Sequence, residues 1–225
     1  MASLLWALVL ICTNFCICCN NTQAMEMIKF PEAKDEQAVY LRDLMENRRS
    51  TRTFRDRPVS LDHLGYILWS AYGFRKDGGR VVPSGGGLYP LDIYVIQGKN
   101  KDLLPEVAQP GIYRYSPRGH EMLLVKAGDF RREVSKASLS QMWMASAPCL
   151  IAITVEYPRI TGKYGDRGIR YAHMESGNVS QNIFLAATAR GLKCAIVGAF
   201  EDEAVKGVMG LSGTQQPLLI MPIGH

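Results

Sequence analysis

Three arginines lie within five positions in NRRSTRTF, residues 47–54. Arg48, Arg49 and Arg52 can each offer a planar guanidinium fork to phosphate oxygens, and the Ser50 hydroxyl adds a further donor. The pattern fits a grip for a small anion; a solvated basic turn is the plain alternative. About thirty residues later VPSGGGLYP, residues 82–90, carries Gly85, Gly86 and Gly87 in a row. A phosphate-cradling loop would follow a strand, open a helix and contain a Lys followed by Ser or Thr. This run has no lysine, and Pro90 with LDIYV beyond it makes its neighbour a strand, so the dinucleotide fingerprint fails as well. What remains is a bend, or bare backbone against which something flat can lie.

The elements that must hold these segments follow from periodicity. DEQAVYLRDLMENR, residues 35–48, spaces Val39, Leu41, Leu44 and Met45 as a helix ending near Asn47. In SLDHLGYILWSAYG, Ser60 caps, Asp62 suits the first turn and Gly73 stops the run. LDIYVIQ is a strand, and GIYRYSPRGHEMLLVKAG gives a hairpin around residues 116–119. A helix is expected over residues 129–139. CLIAITVEY is a buried strand by its nearly unbroken apolar run, and the longest helix is expected from about Ile169 to Arg190, with Gly191 just past its end. LKCAIVGAF then forms a strand, EDEAVKGVMG a short helix and PLLIMPIG a last strand. Hairpins mixed with helices indicate an α+β architecture and not a doubly wound one.

At 225 residues, 47% hydrophobic and 21% charged, the chain suits one domain with a full core. A formal net charge of +5, with acids interspersed among the bases, marks no polyanion-binding block, so a nucleic-acid partner is not expected. Residues 1–24 differ from the rest. They begin with an uncharged apolar run that resembles an export signal or a membrane anchor, ahead of the third possibility, a misassigned start; the folded domain is expected over residues 25–225. Export or anchoring is the expected localisation, with membrane contact through this segment alone if it is uncleaved, and a cytoplasmic protein if the start is misassigned. Four of the six cysteines fall there, leaving Cys149 and Cys194 as small buried hydrophobes, with no disulfide framework and no metal-ligand spacing.

Taken in order, RRSTRTF, PSGGGLYP, GIRYAHMESGNVSQNIFLAATARGLKCAIVGAF and LLIMPIG resemble the flavin-dependent nitroreductase superfamily, and within it the SagB/ThcOx-type dehydrogenases. The resemblance spans nearly everything from Asn47 onward. It implies a central antiparallel sheet flanked by helices, an intertwined homodimer and FMN at the subunit interface. Carried over by position, Arg48, Arg49, Ser50 and Arg52 take the FMN phosphate and ribityl chain. Pro83, Ser84, Gly85, Gly86 and Gly87 lie along the isoalloxazine, and Val197, Gly198 and Ala199 pack near its other side. Asn182 is a weaker cofactor candidate. The remaining stripe of that helix, Tyr171, Met174, Asn178, Leu185 and Ala189, is expected in core and dimer packing.

A narrower match concerns GKYGDRGIRY, where Lys163 and Tyr164 stand at the Lys-Tyr pair of azoline-oxidising members. Hydride transfer at flavin N5 leaves a proton to be removed, and either group could take it. The alternative of equal weight pairs Lys163 with Asp166 on a surface loop. Two departures from the family pattern matter: Gly87 replaces an Asn common in nitroreductases, which favours the SagB-like branch, and relatives run on past the last strand into a basic tail. Arg167 or Arg170 from a partner subunit is the expected substitute for that tail. The resemblance thus implies an FMN-dependent oxidoreductase acting on a small organic molecule, with NAD(P)H or an azoline-like heterocycle as electron donor. The other class left open is a non-catalytic flavin-binding subunit of a larger assembly.

Overall fold

The computed structural model describes residues 36–99 and 108–225. The expected N-terminal export or anchoring segment lies outside the described residues. Helices α1 (Glu36–Asn47) and α2 (Leu61–Tyr72) lead into strands β1 (Leu91–Gln97), β2 (Gly111–Ser116) and β3 (Glu121–Ala127). Then come α3 (Arg131–Ala137), β4 (Cys149–Glu156), α4 (Pro158–Tyr164), α5 (Arg167–Ala189), β5 (Lys193–Cys194), α6 (Asp202–Met209) and β6 (Gln215–Gly224). All strand pairs are antiparallel in the order β3-β2-β1-β4-β6-β5, as an α+β fold requires. Ser60 caps α2, its hydroxyl accepting from the His63 amide at 3.3 Å.

Both faces of the sheet are covered at its central strands β1 and β4, which is why β4 is apolar without alternation. Leu91, Ile93 and Val95 of β1 with Ile151, Ile153 and Val155 of β4 pack against α2 and α5. Their neighbours Tyr94, Ile96, Leu150 and Ala152 pack against α3 and α6 on the other side. Cys149 and Cys194 are buried free thiols; burial pushes Cys149 up to about 12, so both behave as small apolar groups.

Three expectations need correction. The helix expected over residues 129–139 stops at Ala137, because Leu139 and Ser140 take left-handed φ values of 52° and 58°. LKCAIVGAF pairs as a regular strand only at Lys193–Cys194. Pro222 of β6 accepts from the Ala195 amide at 3.2 Å but has no N–H to return, and the pairing resumes only at a Val197–Ile220 bridge. Finally, GKY is not a loop: it closes α4, which starts with Pro158 and ends at Gly165 with φ 53°.

Candidate functional site

The arginine segment leaves α1 and runs extended along β5. Ser50 forms a parallel bridge with Cys194, the Thr51 amide donates to Cys194 O at 2.8 Å, and the Arg55 amide donates to His225 O at 2.8 Å. This fixes the backbone and leaves the side chains at the surface. Arg48 is half-buried, its guanidinium carbon 5.1 Å from the centre of the Phe184 ring on α5. Arg52 stands 5.7 Å over Trp143. Arg49 turns back: its Nη1 donates to the carbonyls of Glu46 and Arg48, the unsatisfied acceptors at the end of α1. Arg49 thus serves its own helix in this conformation, while Arg48, Ser50 and Arg52 point the grip outward.

The glycines form a single tight turn. The Gly87 amide donates to Ser84 O at 3.1 Å and the Leu88 amide to Gly85 O at 3.3 Å, while Ser84 Oγ accepts from the Tyr89 amide at 2.9 Å. Gly86 and Gly87 take φ values of 62° and 68°, the left-handed region where a side chain is strained. They differ in their surroundings. A Cβ on Gly86 would lie 2.5 Å from Tyr164 Oη and 3.2 Å from Lys163 Nζ; one on Gly87 would meet nothing within 4 Å. The end of α4 and the glycine turn therefore meet, and Lys163 and Tyr164 converge on Gly86. Tyr164 also packs edge-on against Tyr171, the first aromatic side chain of α5, at 5.2 Å between ring centres.

Beneath this turn is a polar cluster that the sequence reading did not single out. Tyr72 Oη accepts from the Leu91 amide at 3.4 Å and donates to Glu175 Oε1 at 2.6 Å. Arg80 lies between the Tyr72 and Tyr89 rings, its guanidinium carbon 4.4 Å from each centre. Burial raises the Glu175 carboxyl above the ordinary range, while the Ser84 and Tyr72 hydroxyls and the Arg80 cation draw it back down. Glu175 Oε2 is buried and, among the described residues, has no hydrogen-bond partner.

The other expected site residues fall elsewhere. Val197 is buried in its bridge with Ile220, in the same apolar cluster against which Phe54 and Trp143 pack, so the VGA segment adjoins the arginine segment. Gly198 is exposed, and a Cβ there would meet Leu219 at an ordinary 3.6 Å. Asn182 donates from Nδ2 to Ser70 O at 2.9 Å, tying α5 to α2, and lines a separate groove with Leu44, Tyr66 and Trp69. Of the stripe Tyr171, Met174, Asn178, Leu185 and Ala189, Met174 at 59% exposure, Asn178 and Ala189 face outward, whereas Tyr171 and Leu185 are half-buried and Tyr171 packs against the core. The buried stripe of α5 is Ala172, Glu175, Val179, Ile183 and Ala186, one residue further round.

Residues 45–225, which hold every one of these segments, match the nitroreductase family. The chain belongs to that family. A Methanocaldococcus jannaschii protein named as a nitroreductase is 39% identical over 192 residues, 85% of this chain and 93% of its own length. The microcin B17-processing protein of Escherichia coli is 28% identical over 175 residues, which are 74% of this chain and span only 62% of that relative. A solved nitroreductase structure from Ralstonia eutropha superposes with a TM-score of 0.69 at 26% identity, each chain covered to 88%. Nitroreductase membership makes an oxidoreductase of this architecture and accounts for the antiparallel sheet flanked by helices.

Proposed function

We propose that this chain is an FMN-dependent oxidoreductase that acts on a small organic or heterocyclic substrate as a homodimer. The observation that carries the reading is the convergence of Lys163 Nζ and Tyr164 Oη on Gly86 of a left-handed, side-chain-free turn. The residues fit a flavin. The turn offers bare backbone at Gly87, where even a Cβ would meet nothing, and Arg48, Ser50 and Arg52 offer charge-assisted donors at the surface. Bound FMN would supply hydride chemistry that no side chain can.

The placement along α5 supports two copies. Arg48 lies against Phe184 and the glycine turn against Tyr171, 13 positions apart on one helix, or about 20 Å. That is comparable to the full length of a flavin mononucleotide. A dimer in which the glycine turn of one protomer faces the arginines of the other shortens the span, and the stripe of Met174, Leu185 and Ala189 gives the two copies an apolar contact.

In this reading Arg48 and Arg52 hold the phosphate, Ser50 steadies it, and the 83–87 turn lies against the ring system. Lys163 and Tyr164 hold or remove the substrate proton at the edge of that turn. Lys163 Nζ lies 5.4 Å from the Tyr164 ring centre, within cation–π range, so the two groups act at one place. The matched microcin-processing relative favours the SagB/ThcOx-like branch, in which the electron donor is a heterocyclic substrate; NAD(P)H is the donor if the chain works as a plain nitroreductase.

Lys163→Ala and Tyr164→Phe are expected to keep their flavin and lose turnover by about 10²–10⁴-fold, the usual worth of a positioned acid or base. Flavin content and turnover are measured on the same preparations. Unchanged turnover removes the pair from the mechanism and favours a non-catalytic flavin-binding subunit.

A further inference from the structure

A groove of about 270 Å³ runs between the glycine turn and the outward face of α5, walled by Pro83, Ser84, Gly85, Tyr171, Met174 and Glu175. Its walls are mostly apolar and one of them is an aromatic ring, which suits a flat group. Glu175 is the exception: the residue is 2% exposed, and its Oε2 is buried with no hydrogen-bond partner among the described residues. A buried carboxylate oxygen left unpaired forfeits its hydration without replacement, so a native protein keeps one where something else completes it.

The chemistry of the missing partner follows from the groups around the carboxyl. Tyr72 Oη accepts a hydrogen bond from the Leu91 amide and donates one to Glu175 Oε1. At 2.6 Å this is a short hydroxyl–carboxyl hydrogen bond. Arg80, held between two tyrosine rings, supplies the countercharge. An ionised Glu175 presents Oε2 as an acceptor only, and with Arg80 present it needs a neutral N–H and no second cation.

We propose that this groove is a recognition subsite for a planar N–H beside a carbonyl, the edge of an amide or imide, with Glu175 Oε2 as its acceptor. Asn178, at the rim of the same groove, offers an amide to the adjoining carbonyl. Two molecules could bring such an edge: the imide of a bound flavin, which rests on the functional reading above, or the substrate itself, which does not.

The test uses the full chain as wild type and as Glu175→Gln. FMN is compared with its N3-methyl derivative, and benzamide with N,N-dimethylbenzamide, by fluorescence and NMR titration. At least one pair is expected to show about tenfold or greater weakening on methylation in the wild type, and the difference vanishes in Glu175→Gln, which presents an N–H in place of the acceptor. Discrimination within the flavin pair assigns the edge to the flavin; discrimination within the benzamide pair alone assigns it to the substrate. Equal binding within both pairs overturns the proposal, as does discrimination that survives unchanged in Glu175→Gln. A wild type that takes up no FMN refutes the flavin reading, and the benzamide pair then decides the groove alone: no methyl discrimination, or no binding, overturns it. If Glu175→Gln does not fold, the wild-type comparison decides by the same criteria.

Discussion

Gly86→Ala is expected to weaken FMN binding by at least about tenfold and to lower turnover further in whatever fraction remains loaded. The left-handed φ of 62° costs an alanine roughly 1–2 kcal/mol, and each 1.4 kcal/mol is tenfold. The new methyl group would also stand 2.5 Å from Tyr164 Oη and 3.2 Å from Lys163 Nζ, so that pair of side chains or the turn must move. Gly87→Ala supplies the internal control. Its φ of 68° imposes the same kind of strain, but its Cβ would meet nothing. Gly87→Ala should therefore weaken flavin binding without the added loss of turnover per bound flavin. The measurement is the FMN dissociation constant by fluorescence quenching together with turnover per bound flavin, for both variants. Equal effects at the two positions would show that Lys163 and Tyr164 do not act at the turn.

The second large effect concerns the anion grip. Hydrogen bonds to charged groups contribute about 1.5–3 kcal/mol each, so Arg48→Ala and Arg52→Ala should each cost roughly 10–100-fold in FMN affinity. Riboflavin, which has the ring and ribityl chain without the phosphate, separates this role from general packing. The wild type should prefer FMN over riboflavin by a large factor, and the double variant should bind the two about equally. Arg49→Ala should leave that preference nearly intact, because the Arg49 guanidinium is spent on the carbonyls of Glu46 and Arg48. Calorimetric titration of the five proteins with both ligands checks this. A double variant that still prefers FMN would move the phosphate elsewhere.

The parts of this fold legible in the sequence were those with strong local signals. Ser60 before an apolar repeat set the start of α2, and the unbroken run in β4 reflected burial on both faces. The arginine and glycine segments were found by residue type alone. Sequence could not rank the three glycines, because that ranking depends on α4 reaching them from seventy-odd residues away. Helix α4 itself was overlooked as only seven residues long, although Pro158 at its start and Gly165 past its end mark it.

The stripe chosen on α5 was offset by one residue for a physical reason. Its buried face is built partly of small residues, Gly168, Ala172, Ser176 and Ala187, which let neighbouring backbone come close. A Cβ on Gly168 would lie 3.0 Å from the Ile160 carbonyl. The large side chain of Met174 faces outward and Tyr171 sits half-buried at the edge of the core, so hydrophobicity alone points one residue off the buried face. Glu175 was hidden by the same effect: acids are nearly always exposed, and only its place in the series Ala172, Glu175, Val179, Ile183 shows that this one is inside.

The central claim, that Arg48, Ser50, Arg52 and the 83–87 turn form a flavin site, is tested most directly by a visible spectrum. The full chain is purified, mixed with excess FMN, freed of unbound ligand on a desalting column and scanned. The account predicts retained flavin absorbance near one FMN per chain, lost in Arg48→Ala/Arg52→Ala. A colourless wild-type protein that retains no FMN would contradict it.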